Sequence, residues 1–355
     1  MFNFHCCEQH SYANIVNVVL MNDKEICYKF TNDTLVEDIF HDVCSSMQLH
    51  ERDIFGLAMH NSDEGWLFIE PSEFMYRIIF KYFMPTGQMC SSSTNKSTYH
   101  SPLQSSPYPT VYFRVRFYIP IHCLNERATQ HIYYMQLRKN YIFYGLFCDP
   151  NVYLQLAAFA LQAELGDAPK CFNPESDTSY FLPEVYYPNK FIKSWNSVEL
   201  VYHTYIHHSA LRNTVAYLAK FHFIHLATKV NSDFNLHLYP LEKPAQKCRF
   251  SVWVGISPKG FTLYQQFPDN WIVPTNRIKW NEIKRIYYDH RTVTVHLRSK
   301  ARRREFKMQR TLSARHLFAL ITNMHFYQSI AEMSATRSND LLEKIELGDF
   351  RELSI

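Results

Sequence analysis

Glycine is scarce in this chain, with 8 residues in 355. So few positions without a Cβ exclude Gly-rich phosphate cradles, collagen-like repeats and propeller arrays. Long apolar runs are missing as well. The richest, 152–163, stops well short of the roughly 20 residues needed to cross a bilayer, so no transmembrane segment is expected and any membrane role is peripheral. The first ten residues carry neither a basic segment nor an apolar run, and no signal peptide is expected. No Cys-x-x-Cys occurs among the 9 cysteines. Their odd, irregular spacing reads as thiols of a reducing compartment, not a disulfide framework or zinc ribbon. Neither sign of charge dominates: 37 Lys plus Arg stand against 33 Asp plus Glu, giving +4.

What is present is material for a core. Apolar residues make up 46% of the chain and charged residues 20%, and 27 Phe with 24 Tyr supply bulk. Such a composition folds, and at roughly 100–200 residues per domain it fills two or three packed units.

Three lobes are expected along the chain, with boundaries at 11–120, 121–231 and 232–333, and a short tail at 334–355. In the first, 15–20 and 25–30 read as strands around the turn Asn22-Asp23-Lys24. Thr34 with Glu37 three residues on predicts a capping box, opening a helix with Leu35, Ile39, Phe40, Val43 and Met47 on one face. Short strands follow at 54–59 and 66–69. Val111, Phe113, Val115, Phe117 and Ile119 alternate with Tyr112, Arg114, Arg116 and Tyr118, the clearest strand of all. Residues 85–110 between them are rich in Ser, Thr and Pro and read as an inserted loop. Ser101-Pro102 and Ser106-Pro107 there match proline-directed kinase sites, a pairing common in any Ser/Pro loop. In the second lobe a helix is expected over 126–145 and another from the cap Asp149 and first-turn Pro150 to Gly166. The interior of that second helix is apolar nearly all round, the pattern of a buried central helix. Two more helical stretches are expected at about 191–208 and 211–230. In the third lobe, Phe250, Val252, Val254 and Ile256 begin a series of short strands, and a helix after Ser313 carries Leu317, Leu320, Ile321, Met324 and Tyr327.

A ubiquitin-like roll, a helical lobe and a pleckstrin-homology-like barrel, in that order, form the plan of a FERM domain, and the wording of the chain agrees. Asp53-Ile54-Phe55-Gly56-Leu57 with Trp66-Leu67 resembles the family's FGL…W pairing. Tyr133-Tyr134, Leu137-Arg138-Lys139 and the LAAFALQAELG of 156–166 resemble its middle lobe, the last being close to A-x-Q-A-x-x-G. Tyr180-Phe181-x-Pro183-Glu184-x-Tyr186-x-Pro188 follows, and Ala314-Arg315-His316-Leu317 with Asn323, His325 and Tyr327 resembles the closing helix. The resemblance covers 12–332 and is nearest to the willin/Expanded type. It implies an α+β, multi-lobed FERM cloverleaf: ubiquitin-like roll, acyl-CoA-binding-protein-like bundle and PH/PTB-like barrel. It further implies an adaptor at the cytoplasmic face of the plasma membrane, binding cytoplasmic tails of membrane proteins or signalling proteins, in Hippo-type growth control. A band-4.1-like cytoskeletal linker is the alternative, and the FERM portion of a tyrosine phosphatase the contrasting one. The chain ends about twenty residues past the barrel helix without a Pro-Pro-x-Tyr motif, an actin-binding tail or a His-Cys-x5-Arg loop, so effectors are not expected to be recruited that way.

Candidate sites follow from charge and edges. Arg298, Lys300, Arg302, Arg303, Arg304, Lys307 and Arg310 stand against Glu305 alone, a net +6 within 298–310 that exceeds the whole chain's +4. On a strand-connecting loop, such a run attracts anionic phospholipid head groups, at about 1 kcal/mol per basic residue near the surface. A solvated hairpin tip is the other reading. Nucleic acid is not an expected partner, because no recognition motif is present and the pI of 8.4 is below the usual range. From the resemblance, Ile286, Tyr287 and Tyr288 facing Leu320 and Met324 would take a peptide as an added strand, although those apolar residues equally suit a core. His203 and His207 have the spacing of a zinc pair but no intervening Glu and no third ligand, so no metal is expected. His222, His225 and the Cys6-Cys7 pair are read the same way, as ordinary residues. With no nucleophile elbow, P-loop or paired-carboxylate motif, the expectation is a binding protein with no cofactor and no catalytic residue.

Overall fold

The computed structural model describes residues 14–61, 64–83, 107–119, 121–173, 180–229, 234–242, 251–269, 271–298 and 303–327. Most of the Ser/Pro insert, the Cys6-Cys7 pair, Ser101, Ser106, Lys300, Arg302 and the tail at 334–355 therefore lie outside the described residues. The chain divides into two compact units, 1–114 and 115–355.

The first unit begins with the hairpin β1 (Ile15–Val19) and β2 (Glu25–Lys29), followed by α1 (Val36–Ser46), β3 (Phe55–Asn61), β4 (Gly65–Phe68), α2 (Met75–Phe83) and β5 (Thr110–Val115). Its sheet runs β2-β1-β5-β3-β4, with β1 and β5 parallel at the centre. The capping box is shifted by one residue from its sequence reading. Leu35 is the cap position of α1, and its N–H donates to the Asp38 carboxylate at 2.8 Å, while Thr34 Oγ1 accepts from Thr31 N instead. The shift turns Val36, Ile39, Val43 and Cys44 inward. Burial pushes the Cys44 thiol up to about 12, so it is an inert core group. The alternation from 111 onward does not mark a solvated face. Arg114 and Arg116 are buried, and the Arg114 guanidinium lies 3.7 Å from the centre of the Trp66 ring. A flat guanidinium stacked on indole keeps its charge attracted to the ring face while its stem is packed. Helix α2 was absent from the sequence reading. Its buried Met75, Ile78, Ile79, Tyr82 and Phe83 keep helical spacing, with Arg77 and Lys81 four apart on the opposite face, a period that was readable in the sequence.

The second unit opens with the helical lobe: α3 (Arg127–Phe143), α4 (Pro150–Leu165), the short α5 (Pro183–Tyr186) and α6 (Asn189–Lys193), α7 (Ser197–Ser209) and α8 (Ala216–Lys229). The stretch expected as one helix over 191–208 is broken at Asn196, whose side chain accepts from Val198 N at 2.9 Å and starts α7 afresh. Central helix α4 starts as its sequence requires, with Asp149 accepting from Asn151 N at 2.8 Å and Pro150 in the first turn. Its alanines 157, 158 and 160 are buried, and their small side chains admit close neighbours on every side.

The barrel follows as β6 (His237–Pro240), β7 (Val252–Ser257), β8 (Gly260–Gln266), β9 (Ile272–Lys279), β10 (Ile283–Asp289), β11 (Thr292–Leu297), β12 (Arg303–Lys307) and a closing helix α9 (311–327). Strands β6–β9 form one antiparallel meander and β10–β12 a second. The turn into β8 requires glycine. Gly260 sits at φ +130°, where an added Cβ would lie 2.1 Å from the Ile278 carbonyl oxygen. Phe261 of one sheet packs on Phe306 of the other at 5.8 Å, and α9 closes the core with Leu317, Ile321 and Met324, each fully buried. Burying three such side chains stabilises the barrel by about 1.5–3 kcal/mol apiece.

Helical lobe and barrel are pinned together by one amide. Asn140 of α3 is buried, and its Nδ2 donates to Tyr118 Oη at 2.7 Å and to the Phe234 carbonyl at 2.8 Å. Its Oδ1 accepts from Gln136 Nε2 at 2.9 Å. A second tie is a bridge between Leu146 and Ile272, with Ile272 N donating to Gly145 O and Phe147 N to Ile272 O. Changing Asn140 to Leu would leave three buried polar partners unsatisfied. It should lower the stability of this unit by at least about 2 kcal/mol, read as a lower urea midpoint. An unchanged midpoint would show that the amide is not the pin.

Candidate functional site

The second barrel sheet gathers the charged and edge-forming residues. The basic run is not one loop. From Arg303 to Lys307 the run is β12, so its side chains alternate between two faces. Arg303 is exposed and pairs with Glu305 at 3.0 Å. Lys307 pairs with Glu242 at 2.8 Å, and Arg291 reaches the same carboxylate at 3.3 Å. The hydrogen bond from Lys307 holds the Glu242 carboxyl below the usual range, with the Arg291 charge adding to it. Arg298 is exposed, but its Nε donates to the Ile283 carbonyl at 3.1 Å. Arg304, within β12, and Arg310, three residues beyond its end, are exposed. Glu305 is already counted in the net +6, and Glu242 takes one further unit, so most of the basic charge remains uncompensated.

Strand β10 is the edge of this sheet and pairs only with β11 among the described residues. Ile286 is half-buried, and Tyr287 and Tyr288 are 37% and 38% exposed. Tyr288 packs on Phe318 of α9, ring centres 5.1 Å apart, whereas Tyr287 turns to the opposite face beside His296. Leu320 and Met324 are 3% and 0% exposed. These two belong to the barrel core and do not line a groove, which corrects the sequence expectation for them. Phe318, half-buried against Tyr288, is the α9 residue that the sequence reading missed.

The motif words of the middle lobe meet in one place. Tyr134 donates to Glu164 at 2.6 Å, Arg138 pairs with the same carboxylate at 3.1 Å, and the Arg138 guanidinium lies 4.7 Å from the Tyr186 ring centre. Gln162 donates to Asp167 and to the Thr214 carbonyl. These residues tie α3, α4 and the segment around α5, so the signature is a packing device.

His203 and His207 share a face of α7, but no group of three potential metal ligands occurs among the described residues. His203 packs against Trp195, His222 on Phe159 and His225 on Phe221. Burial lowers the pKa of His207, with the His203 charge adding to it. His208 is also lowered by burial, partly offset by its bond to the Gly166 carbonyl and by Asp167; its other ring nitrogen bonds Tyr180 Oη. His131 and His60 are lowered by burial too.

These observations define a lobed assembly of ubiquitin-like, helical and PH-like parts, and comparison with known proteins agrees. Residues 18–78 match the FERM N-terminal domain, 120–239 the FERM central domain and 246–335 the FERM C-terminal PH-like domain. The chain belongs to the FERM family. It is similar to human tyrosine-protein phosphatase non-receptor type 13, 25% identical over 96% of this chain and 13% of that protein. It also resembles mouse FERM and PDZ domain-containing protein 2, 21% identical over 88% of this chain and 21% of that protein. The chain thus spans well under a quarter of these relatives. In fold it is similar to the FERM and C-terminal domain complex of Drosophila Merlin, with TM-score 0.68 and 15% identity over 91% of this chain and 99% of that one. The human myosin 7b MyTH4-FERM domain, solved in complex with a harmonin-a PDZ3 domain, matches with TM-score 0.60 and 14% identity over 88% of this chain and 60% of that one. No described helix is long and apolar enough to cross a membrane.

The lowered histidines set a pH window. Each is held neutral when folded, while unfolding returns it to about 6.5, so the unfolded state takes up protons first on acidification. Stability should fall as pH drops from about 6.5 toward 5, before carboxylates titrate. Urea midpoints at pH 7, 6 and 5 test this, and a flat profile across that range would contradict it.

Proposed function

We propose that this chain is a non-catalytic FERM adaptor at the cell cortex, joining membrane-protein tails or signalling partners to an anionic membrane face. A membrane–cytoskeleton linker or adaptor role is what the FERM domain itself supports. The observation that carries the finer reading is the second barrel sheet, which offers an open β10 edge beside α9 and basic β12 side chains two strands away. An extended tail adding to β10 would gain main-chain hydrogen bonds, with Tyr288 and Phe318 flanking its side chains. The same sheet supplies Arg303, Arg304 and the neighbouring basic residues for phosphoinositide head groups. We place the chain with the willin/Expanded type and in Hippo-type growth control on the motif wording alone.

A second reading, the FERM portion of a larger tyrosine phosphatase or linker, draws on the 25% identity over 96% of the chain.

The membrane arm is tested by sedimentation with vesicles containing or lacking phosphatidylinositol bisphosphate, at two salt concentrations. Wild type should co-sediment with the bisphosphate vesicles, and less at high salt. A variant with Arg302, Arg303 and Arg304 changed to Glu should stay in solution. Wild type remaining soluble throughout would remove the lipid contact from this account.

A further inference from the structure

The hairpin that opens the first unit leaves one strand edge without a neighbour. β2 stands at the end of the row β2-β1-β5-β3-β4, with no strand beyond it among the described residues. Leu20 N donates to the Lys24 carbonyl at 2.8 Å and Phe30 N to the Asn14 carbonyl at 3.0 Å, both in the register that pairs Ile15 with Lys29. Hydrogen-bonded pairs alternate with non-bonded ones along an antiparallel ladder, so Ile26 and Tyr28 turn their main-chain groups toward β1. Glu25, Cys27 and Lys29 turn theirs to the open edge. The side chains of these three are exposed on one face of the strand, while Ile26 and Tyr28 are half-buried on the other. Asn17 of β1 supports the exposed face, its Nδ2 donating to Glu25 Oε2 at 2.9 Å and its Oδ1 lying 3.8 Å from Cys27 Sγ.

We infer that β2 is a contact between two copies of this chain, joined as antiparallel strands about a two-fold axis at Cys27. In that register the strand is its own complement. Glu25 faces Lys29 of the second copy, and Lys29 faces its Glu25, which makes two opposite-charge pairs on the exposed face. Ile26 meets Tyr28 of the second copy on the other face, a β-branched side chain against an aromatic, and this pair also occurs twice. The two Cys27 residues lie opposite each other as a hydrogen-bonded pair, with Cα atoms about 5.5 Å apart. Charges on a strand edge ordinarily keep other strands away. Here they act selectively, because a parallel in-register copy would set Glu25 on Glu25 and Lys29 on Lys29. Five paired residues a side fall short of the roughly 20–30 of a stable interface, so the dimer is weak and concentration-dependent. It doubles every other binding surface on the chain and so raises avidity for a multivalent partner. The inference goes beyond the adaptor reading and does not rest on it.

Sedimentation equilibrium of the full chain over a wide concentration range tests it. Wild type should show a reversible monomer–dimer equilibrium. Glu25→Lys and Lys29→Glu should each weaken the dimer roughly tenfold or more, because each sets like charges opposite one another twice. An equal mixture of these two variants should dimerise about as well as wild type, since each supplies the charge that the other lacks. Misfolding of either variant cannot produce that rescue. A short bis-maleimide should link the dimer through Cys27, and Cys27→Ser should abolish the link while leaving the sedimentation unchanged. A chain that stays monomeric at every concentration would overturn the inference. So would a dimer indifferent to both charge substitutions, or variants that remain apart when mixed. A sedimenting dimer that gives no link at Cys27 would overturn the register.

Discussion

The second unit depends on the side-chain amide of Asn140. It sits where the chain enters the helical lobe beside Tyr118 and where it leaves beside Phe234, and it bonds both. In a buried setting such bonds are strengthened by the low local dielectric, and their loss leaves groups that no water can reach. The neighbouring His237 to Arg116 carbonyl bond, at 3.0 Å, and the Leu146–Ile272 bridge act in the same seam. Together they tie the bundle to the β6–β9 side of the barrel.

The elements proposed to act in binding are individually weak. Exposed charge on β12 is partly compensated, and a strand edge alone binds loosely. In the proposed adaptor, a head-group contact and an added peptide strand on one sheet would reinforce each other through effective concentration. On that proposal, salt would weaken the first and leave the second largely intact, so the two contributions would be separable.

Lobe order, the α4 cap and the barrel's alternating strands were legible because each rests on local chemistry that sequence displays: Asp149-Pro150, Val252 with Val254, and Leu317 with Ile321. Other features were not legible, for tertiary reasons. The alternation at 111–119 marked a strand, but only the fold shows Arg114 stacked against Trp66 from another strand. The sequence marked Leu320 and Met324 only as apolar, and core and groove lining look alike until α9 is seated. The order Glu25-Ile26-Cys27-Tyr28-Lys29 joined no motif because only the register shows which of these residues turn to the open edge. The LAAFALQAELG wording was readable as a signature, but its purpose emerges only when Glu164 is seen between Tyr134 and Arg138.

The central claim is that the second barrel sheet is the membrane-facing and partner-facing surface of this FERM domain. Hydrogen–deuterium exchange on the full chain, with and without vesicles containing phosphatidylinositol bisphosphate, tests it most directly. The account predicts added protection confined to 283–307, with the Asn140 seam already slow to exchange in both states. Protection falling elsewhere, or none at all on vesicles that do bind the chain, would contradict it.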